Sequence, residues 1–347
     1  MSVVRHWAVR ASAGAALLAV VLLAVALYGW LEAGPGTETK IRFFFVDVVF
    51  VVALQVFSGN TGILSFGHMA FIGTGAYVAG ILTADPLLKP IVVPGLPAFL
   101  ETRSLDLFPT TLVAVGVAGA LAVVTGLLVL RLDGTSAVIA ILSLLLIAFV
   151  VFSGWQSVTG GQGGIYSFLE VTTVTWTFAW AVAAVFIARL FKESGTGLQL
   201  QGSREDPLAA SAVGVRVRAF RLRAWVLSAM LAGAGGALFA LTLNAITPGT
   251  FYLSRTFTIV VMLIVGGMTS VTGAVAGVGL VTVVQEVVRP YEDDSLDLAF
   301  LQFDRLTGLR DIALVAMILL VMYFRRDGLM GRRELDESLS ALWRRVR

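Results

Sequence analysis

Long apolar runs, rather than an apolar-polar alternation, organise this chain from one end to the other. Stretches approaching the ~20 apolar residues that a bilayer asks of a helix predict spans at residues 11–30, 41–57, 68–83, 109–130 and 135–153. Five more follow at 171–191, 222–243, 256–268, 271–288 and 311–324. The expected fold is therefore all-α and polytopic, one transmembrane domain over 1–347 with about ten helices. The first run follows Arg5, His6 and Arg10 as a signal peptide would. It is longer than the ~7–15 residues of a signal core and ends on Tyr28 and Trp30, where interfacial anchors sit, so it reads as a retained span.

Composition agrees: 58% of the 347 residues are hydrophobic and 14% charged, too few polar groups to cover a soluble protein of this size. With no cysteine and only two histidines, His6 and His68, thiolate metal sites are excluded and an imidazole site has little to draw on. The basic residues sit at span ends, so nothing points to nucleic acid and their placement reads as orientation. Arg5, Arg10, Arg131, Lys192, Arg204, Arg216, Arg218 and Arg221 fall on one side with the arginines of the basic tail, 325–347. Fewer, among them Lys40, Lys89 and Arg103, fall on the other. Both termini are thus expected in the cytoplasm, in a bacterial-type inner membrane, and the acidic loop with Glu292, Asp293, Asp294, Asp297 and Asp304 is expected outside.

One internal segment, 192–221, reads as soluble. Glu193-Ser194-Gly195-Thr196-Gly197 reads as flexible; Ser203 then offers a cap for a short helix that ends at Gly214. Such a helix suits docking better than catalysis. Two apolar stretches are broken by small and polar residues: Ser58 to His68, containing Asn60, Thr61 and Ser65, and Gly266 to Gly273, containing Thr269 and Ser270. Irregular backbone at membrane depth is tolerated where it is packed in protein or lines a cavity, so these residues are pathway candidates beside the reading of close helix packing. Their spacing along the chain raises the suspicion of an inverted repeat. A third polar stretch, Ser157 to Tyr166, carries Thr159 and Gln162 and reads as an outer mouth or as a plain surface turn.

Titratable groups are scarce within the spans. Asp47 and Glu286 fall near the outer boundary, where solvated anchors are expected, so no proton relay is evident. The chain has no G-x-x-x-x-G-K-[ST] loop for ATP and no hydrolase motif. It reads as a transport component rather than an enzyme, and any ATP-derived energy has to come from a partner.

At this point the residues resemble the permease subunits of branched-chain amino acid ABC importers. The run Gly59-Asn60-Thr61-Gly62-Ile63-Leu64-Ser65-Phe66-Gly67-His68 is similar to that family's signature near its second and third helices. Thr159-Gly160-Gly161-Gln162-Gly163-Gly164-Ile165 resembles its T-G-G-x-x-G-[IL] motif. The coupling segment of the family resembles Arg204, Glu205, Asp206, Pro207, Leu208, Ala209, Ala210 and the residues up to Gly214. Val265 to Gly273 and Arg325 to Gly331 are similar to its G-G-x-G-S-x-x-G and R-P-x-G-L-x-G elements. The resemblance implies a second related permease, two ATP-binding cassette subunits that hold ATP and Mg²⁺, and an extracytoplasmic binding protein. It also implies that Arg204 to Gly214 docks on the ATPase.

The sequence departs from the family where Ser136, Ile141 and Leu146 stand for an aromatic residue, a threonine and a glutamate. Thr269 replaces a glycine and Arg326 a proline. Since the family also handles urea and short amides, an amide importer is the alternative substrate class. A secondary carrier would explain the spans but not the cytoplasmic helix.

Overall fold

The computed structural model describes residues 2–336 apart from 32, 33, 167, 169–171, 294, 295, 299, 300 and 304–307. Arg344, Arg345 and Arg347 of the expected basic tail, and Asp294 and Asp304 of the acidic loop, lie outside the described residues. The long helices are α1 (Ser2–Leu31), α2 (Pro35–Thr61), α3 (His68–Thr83), α4 (Leu107–Val129), α5 (Gly134–Gly154) and α6 (Val174–Glu193). Two short helices follow, α7 (Gly195–Ser203) and α8 (Pro207–Ala212), then α9 (Val217–Leu243), α10 (Leu253–Gly266), α11 (Val271–Asp293) and α12 (Leu309–Phe324). Among the described residues, eight helices are long and apolar enough to cross a membrane. The 16-residue helices α3 and α12 span only about 24 Å at 1.5 Å per residue. The protein is an all-α, multi-pass membrane protein.

Helix α9 is the hub, packed against α2, α3 and α4. Its Ala-Gly-Ala-Gly-Gly-Ala stretch, 232–237, brings backbones together. A Cβ on Gly236 would lie 2.0 Å from Ile72 O, and one on Gly233 would lie 2.5 Å from the Ala118 Cβ. Without a hydrophobic driving force between helices in lipid, such close approach is how membrane helices gain dispersion energy. Trp225 fills the space beside this seam, its ring edge-on to Phe57 at 4.8 Å and Phe71 at 5.1 Å. The outermost helix, α1, buries the stripe Ala11, Ala15, Leu18, Leu22 and Ala26 and leaves Val20, Leu27 and Tyr28 exposed, a one-sided pattern for a helix that packs on α6 and faces lipid elsewhere.

The bundle has two distinct ends. One carries α7, α8 and the segment 325–336; we call it the α8 end. The first half of α1 also lies there, since Gly14 abuts Arg189 and Asp336. The opposite end carries two small antiparallel ladders, Ile165–Tyr166 with Ala245–Ile246 and Leu296–Leu298 with Leu301–Phe303.

Three local expectations change. Segment 192–221 forms two helices instead of one preceded by a flexible run. Ser194 caps α7 by accepting from Gly197 N at 3.2 Å, and Asp206 caps α8 by accepting from Leu208 N at 2.9 Å and Ala209 N at 3.0 Å. Pro207 explains the division: it lacks an N–H and pushes Asp206 into an extended conformation (φ −146°, ψ 98°), so no helix runs through from Ser203. Asp47 is buried and paired with Arg255 rather than solvated, whereas Glu286 is half-exposed and paired with Lys40. Finally, both glycine-rich breaks, between α2 and α3 and between α10 and α11, fall at the α8 end. Symmetry mates of an inverted repeat would occupy opposite ends, so the breaks are not such a pair.

Candidate functional site

At the α8 end, α8 projects two apolar side chains, Leu208 (83% exposed) and Val213 (81% exposed). The helix is closed at its far end by Gly214, whose φ of 89° lets Val215 N reach back to Ala210 O at 3.0 Å. Both termini of a six-residue helix are thus capped, so the knob keeps its shape without a partner. Behind it, Arg204 pairs with Glu205 at 3.1 Å while its aliphatic stem crosses the α2–α3 break: a Cβ on Gly62 would lie 2.4 Å from Arg204 Cγ.

Gly62, with φ 74°, terminates α2 and donates to Ser58 O at 3.0 Å. Asn60 sits just inside this end, donating to Val56 O at 2.9 Å and accepting from Gln201 of α7 at 3.1 Å. Thr61 bonds back to Phe57 O at 2.8 Å. Ser65 and His68 form a different group: His68 Nδ1 meets Ser65 Oγ at 2.6 Å, and its Nε2 meets Ser228 Oγ of α9. The imidazole is 4% exposed and enclosed by Phe57, Phe71 and Trp225. Both ring nitrogens are used within the packed seam of α3 and α9.

The second break is held by residues that lie beyond α12. Leu329 N donates to Val265 O at 2.9 Å and Met330 N to Gly266 O at 3.1 Å, adding partners for carbonyls at the end of α10. Thr269 Oγ1 donates to Gly331 O at 3.1 Å and Ser270 Oγ to Arg333 O at 2.9 Å. Glu334 is the centre. It accepts from Ser270 Oγ at 3.1 Å, Val271 N at 3.1 Å, Thr272 N at 3.0 Å and Thr272 Oγ1 at 2.7 Å. A carboxylate here fills the orphan donors at the start of α11 and suits the positive end of its dipole. Glu334 also pairs with Lys192 and, at 3.1 Å, with Arg189. Burial alone would raise this carboxyl; the nearby Lys192 and Arg189 charges, with the Lys192 and Thr272 hydrogen bonds, outweigh it and bring the group down to about 2.

A cavity of about 370 Å³ lies between the breaks, lined among others by Leu64, Arg204, Met268, Thr269, Arg326 and Arg332. The structure thus brings Arg204 and Thr269 to one space; Ser270 follows Thr269 in the chain, Asn60 and Thr61 are buried at the end of α2 just before Gly62, and Ser65 and His68 lie in the α3–α9 seam. Thr159 and Gln162 are at the other end of the bundle. Thr159 donates to Phe152 O and Trp155 O, each at 2.7 Å, and so closes the end of α5; Gln162 is exposed on the turn that follows. That turn is fixed by the Ile165–Tyr166 ladder, and a Cβ on Gly164 (φ 70°) would lie 1.8 Å from Ile246 O. Sequence reading missed Gln201 and Glu334. The signal for Glu334 was the acidic group Glu334, Asp336 and Glu337 directly after Arg332-Arg333, which interrupts the arginines of the tail; Gln201 carried none.

This architecture, a multi-pass helical bundle with two glycine-rich breaks and a capped knob at one end, is that of a membrane transport component. The chain belongs to the family described as branched-chain amino acid transport system / permease component, which matches residues 36–322. It is 22% identical over 349 aligned positions, 90% of this chain and 74% of the relative, to the high-affinity branched-chain amino acid transport system permease protein LivM of Escherichia coli. The LivM protein of Salmonella typhimurium aligns with the same identity and coverage. A probable branched-chain amino acid transport permease protein LivH of Methanocaldococcus jannaschii is 28% identical over 147 residues, 42% of this chain and 45% of the relative. No solved structure matches the chain.

Proposed function

We propose that this chain is the membrane-spanning subunit of an ATP-binding cassette importer that carries branched-chain or other apolar amino acids into the cell. Family membership supports the substrate class. One structural observation carries the mechanism: α8, capped at both ends and presenting Leu208 and Val213 to solvent, is backed by Arg204, whose stem lies on the turn that ends α2. A partner that pushes on α8 therefore pushes on α2. Two ATPase subunits, holding ATP and Mg²⁺, would supply that push, a second related permease would complete the pathway, and a binding protein would deliver solute at the opposite end. On this reading the α8 end, with Arg216, Arg218, Arg325 and Arg333, faces the cytoplasm. Asn60, Thr61, Ser65, His68, Thr269 and Ser270 belong to or support the gate at that end, and Thr159 and Gln162 to the outer mouth.

The test is uptake of labelled leucine by cells producing the whole system. Leu208→Glu together with Val213→Glu changes only exposed side chains, so the chain is expected to insert normally and to lose uptake and ATPase association. Unchanged uptake would remove α8 from the docking role. Uptake of urea but not leucine would move the chain to the amide class.

A further inference from the structure

Gln55 lies on α2, within two turns of its Thr61 end, and is fully buried, yet neither its Nε2 nor its Oε1 has a hydrogen-bond partner among the described residues. Ser58, also fully buried, has an unpartnered Oγ. Their neighbours are satisfied: Thr61 bonds to Phe57 O, Asn60 to Val56 O, and Ser228 to Ala53 O at 2.6 Å. A serine in a helix ordinarily has the carbonyl four residues back within reach, and Thr74 and Thr83 both use theirs. Ser58 does not. Buried amides and hydroxyls without partners are rare because each forfeits its hydration with no return.

The position of the amide gives it a direction. A Cβ on Gly59 would lie 2.8 Å from Gln55 Nε2 and 2.4 Å from Met268 O, so the Gln55 amide, the α2 backbone and the α10–α11 connection meet at one point. One turn further along this face, Gly62 lies under the Arg204 stem, and Arg204 and Met268 both line the 370 Å³ cavity. The α2 face that carries Gln55, Gly59 and Gly62 thus leads from a buried, unsatisfied amide to the cavity, and the contact between Gly59 and the Met268 carbonyl closes it.

We propose that Gln55, supported by Ser58, is a polar station on the solute route, uncovered when α2 and the α10–α11 hairpin part at Gly59 and Met268. A primary amide offers donors and an acceptor on one planar group, which matches the carboxylate and ammonium of a zwitterionic amino acid. The unmade bonds of the closed arrangement are then made in the open one, an interaction that favours passage without deepening the resting state. This inference rests on the transport reading above.

The chain contains no cysteine, so Gln55→Cys supplies a single thiol. In inverted membrane vesicles carrying the whole system, a small hydrophilic methanethiosulfonate reagent is expected to modify that thiol with ATP and leucine present and to leave it untouched without them. Gln55→Leu, close in volume, is expected to lower leucine uptake about tenfold, the loss of one well-made hydrogen bond, with no fall in melting temperature. Gln55→Asn, which keeps the amide, is expected to recover part of the uptake. Equal modification in both conditions, or full uptake by Gln55→Leu, would overturn the proposal and leave the amide as packing. Absence of leucine uptake by the unaltered protein would instead sink the transport reading, while labelling that depends on ATP alone would still report the opening.

Discussion

The α2–α3 break and the α10–α11 break lie side by side at the α8 end, and both are strings of glycine with a few hydroxyls. They are closed in different ways. The first is largely self-contained: Asn60 and Thr61 bond to carbonyls of their own helix, Ser65 bonds to His68, and the additional partners are Gln201 of α7 and Ser228 of α9. The second relies on a strap more than sixty positions away in sequence, residues 325–336, which supplies backbone donors to α10 and a carboxylate to α11. A break that satisfies itself opens at the expense of its own bonds. A break held by a strap opens or stays shut with the strap, and through Lys192 and Arg189 that strap is tied to the end of α6, immediately before α7.

The largest effect should therefore come from the strap. Glu334→Ala strips Val271 N and Thr272 N of their acceptor and Lys192 of its carboxylate, while Arg189 keeps Glu193 at 3.1 Å and Asp336 at 3.0 Å and Gly273 N keeps Ser270 Oγ; losing hydrogen bonds to a charged group costs about 1.5–3 kcal/mol. The expected result is a clear drop in the melting temperature of the detergent-solubilised protein. A drop no larger than that of a surface variant such as Glu205→Ala would show that the second break does not depend on Glu334.

The same group makes a pH prediction. Its folded value of about 2 lies below the ordinary 4.5, so its contribution is fully present above pH ~4.5 and is lost as pH falls through about 2; at 1.36 kcal/mol per unit this amounts to roughly 3 kcal/mol. Acid unfolding should be steep across that window in the parent and flatter in Glu334→Gln. Superimposable acid-unfolding curves would refute the linkage.

A smaller effect is expected at the first break. Gly62→Ala places a Cβ on a left-handed residue, which costs about 1–2 kcal/mol, and drives it into the Arg204 stem. If the stem carries motion from α8 to α2, leucine uptake should fall further than stability does. Equal proportional losses would assign Gly62 to folding alone.

What was legible beforehand divides along physical lines. Long helices announce themselves because lipid demands an apolar run and each helix satisfies its own backbone, so the predicted spans coincide with α1 to α6 and α9 to α12 within a few residues at most ends. The α8 helix was visible through its turn residues, although Pro207 moved the cap from Ser203 to Asp206. The closure of the breaks was not visible. Glu334 acts 62 residues from Thr272 and His68 bonds to Ser228 across 160, and nothing in local composition records a partner so far away. A charged segment such as 325–336 reads as a solvated tail for the same reason: sequence shows charge but not what neutralises it. Glu286 and Asp47 make the point in reverse, since both read as outer anchors and one of them proved buried against Arg255.

The smallest expected effect separates the two breaks most finely. Ser65→Ala removes the hydroxyl partner of His68 Nδ1 but leaves Ser228 on Nε2, so the imidazole keeps one bond and the loss should be about 1 kcal/mol. Ser228→Ala removes the other bond, and the double variant leaves a buried ring with no hydroxyl on either nitrogen. Because all three side chains share one network, the double loss is expected to exceed the sum of the single losses. At the second break, Thr269→Val removes a hydroxyl that binds Gly331 O. Combined with either serine variant it should add without excess, since the two networks have no residue in common. Measured by melting temperature, excess coupling between Thr269 and Ser65 would mean that the breaks share one closure and would erase the distinction between them.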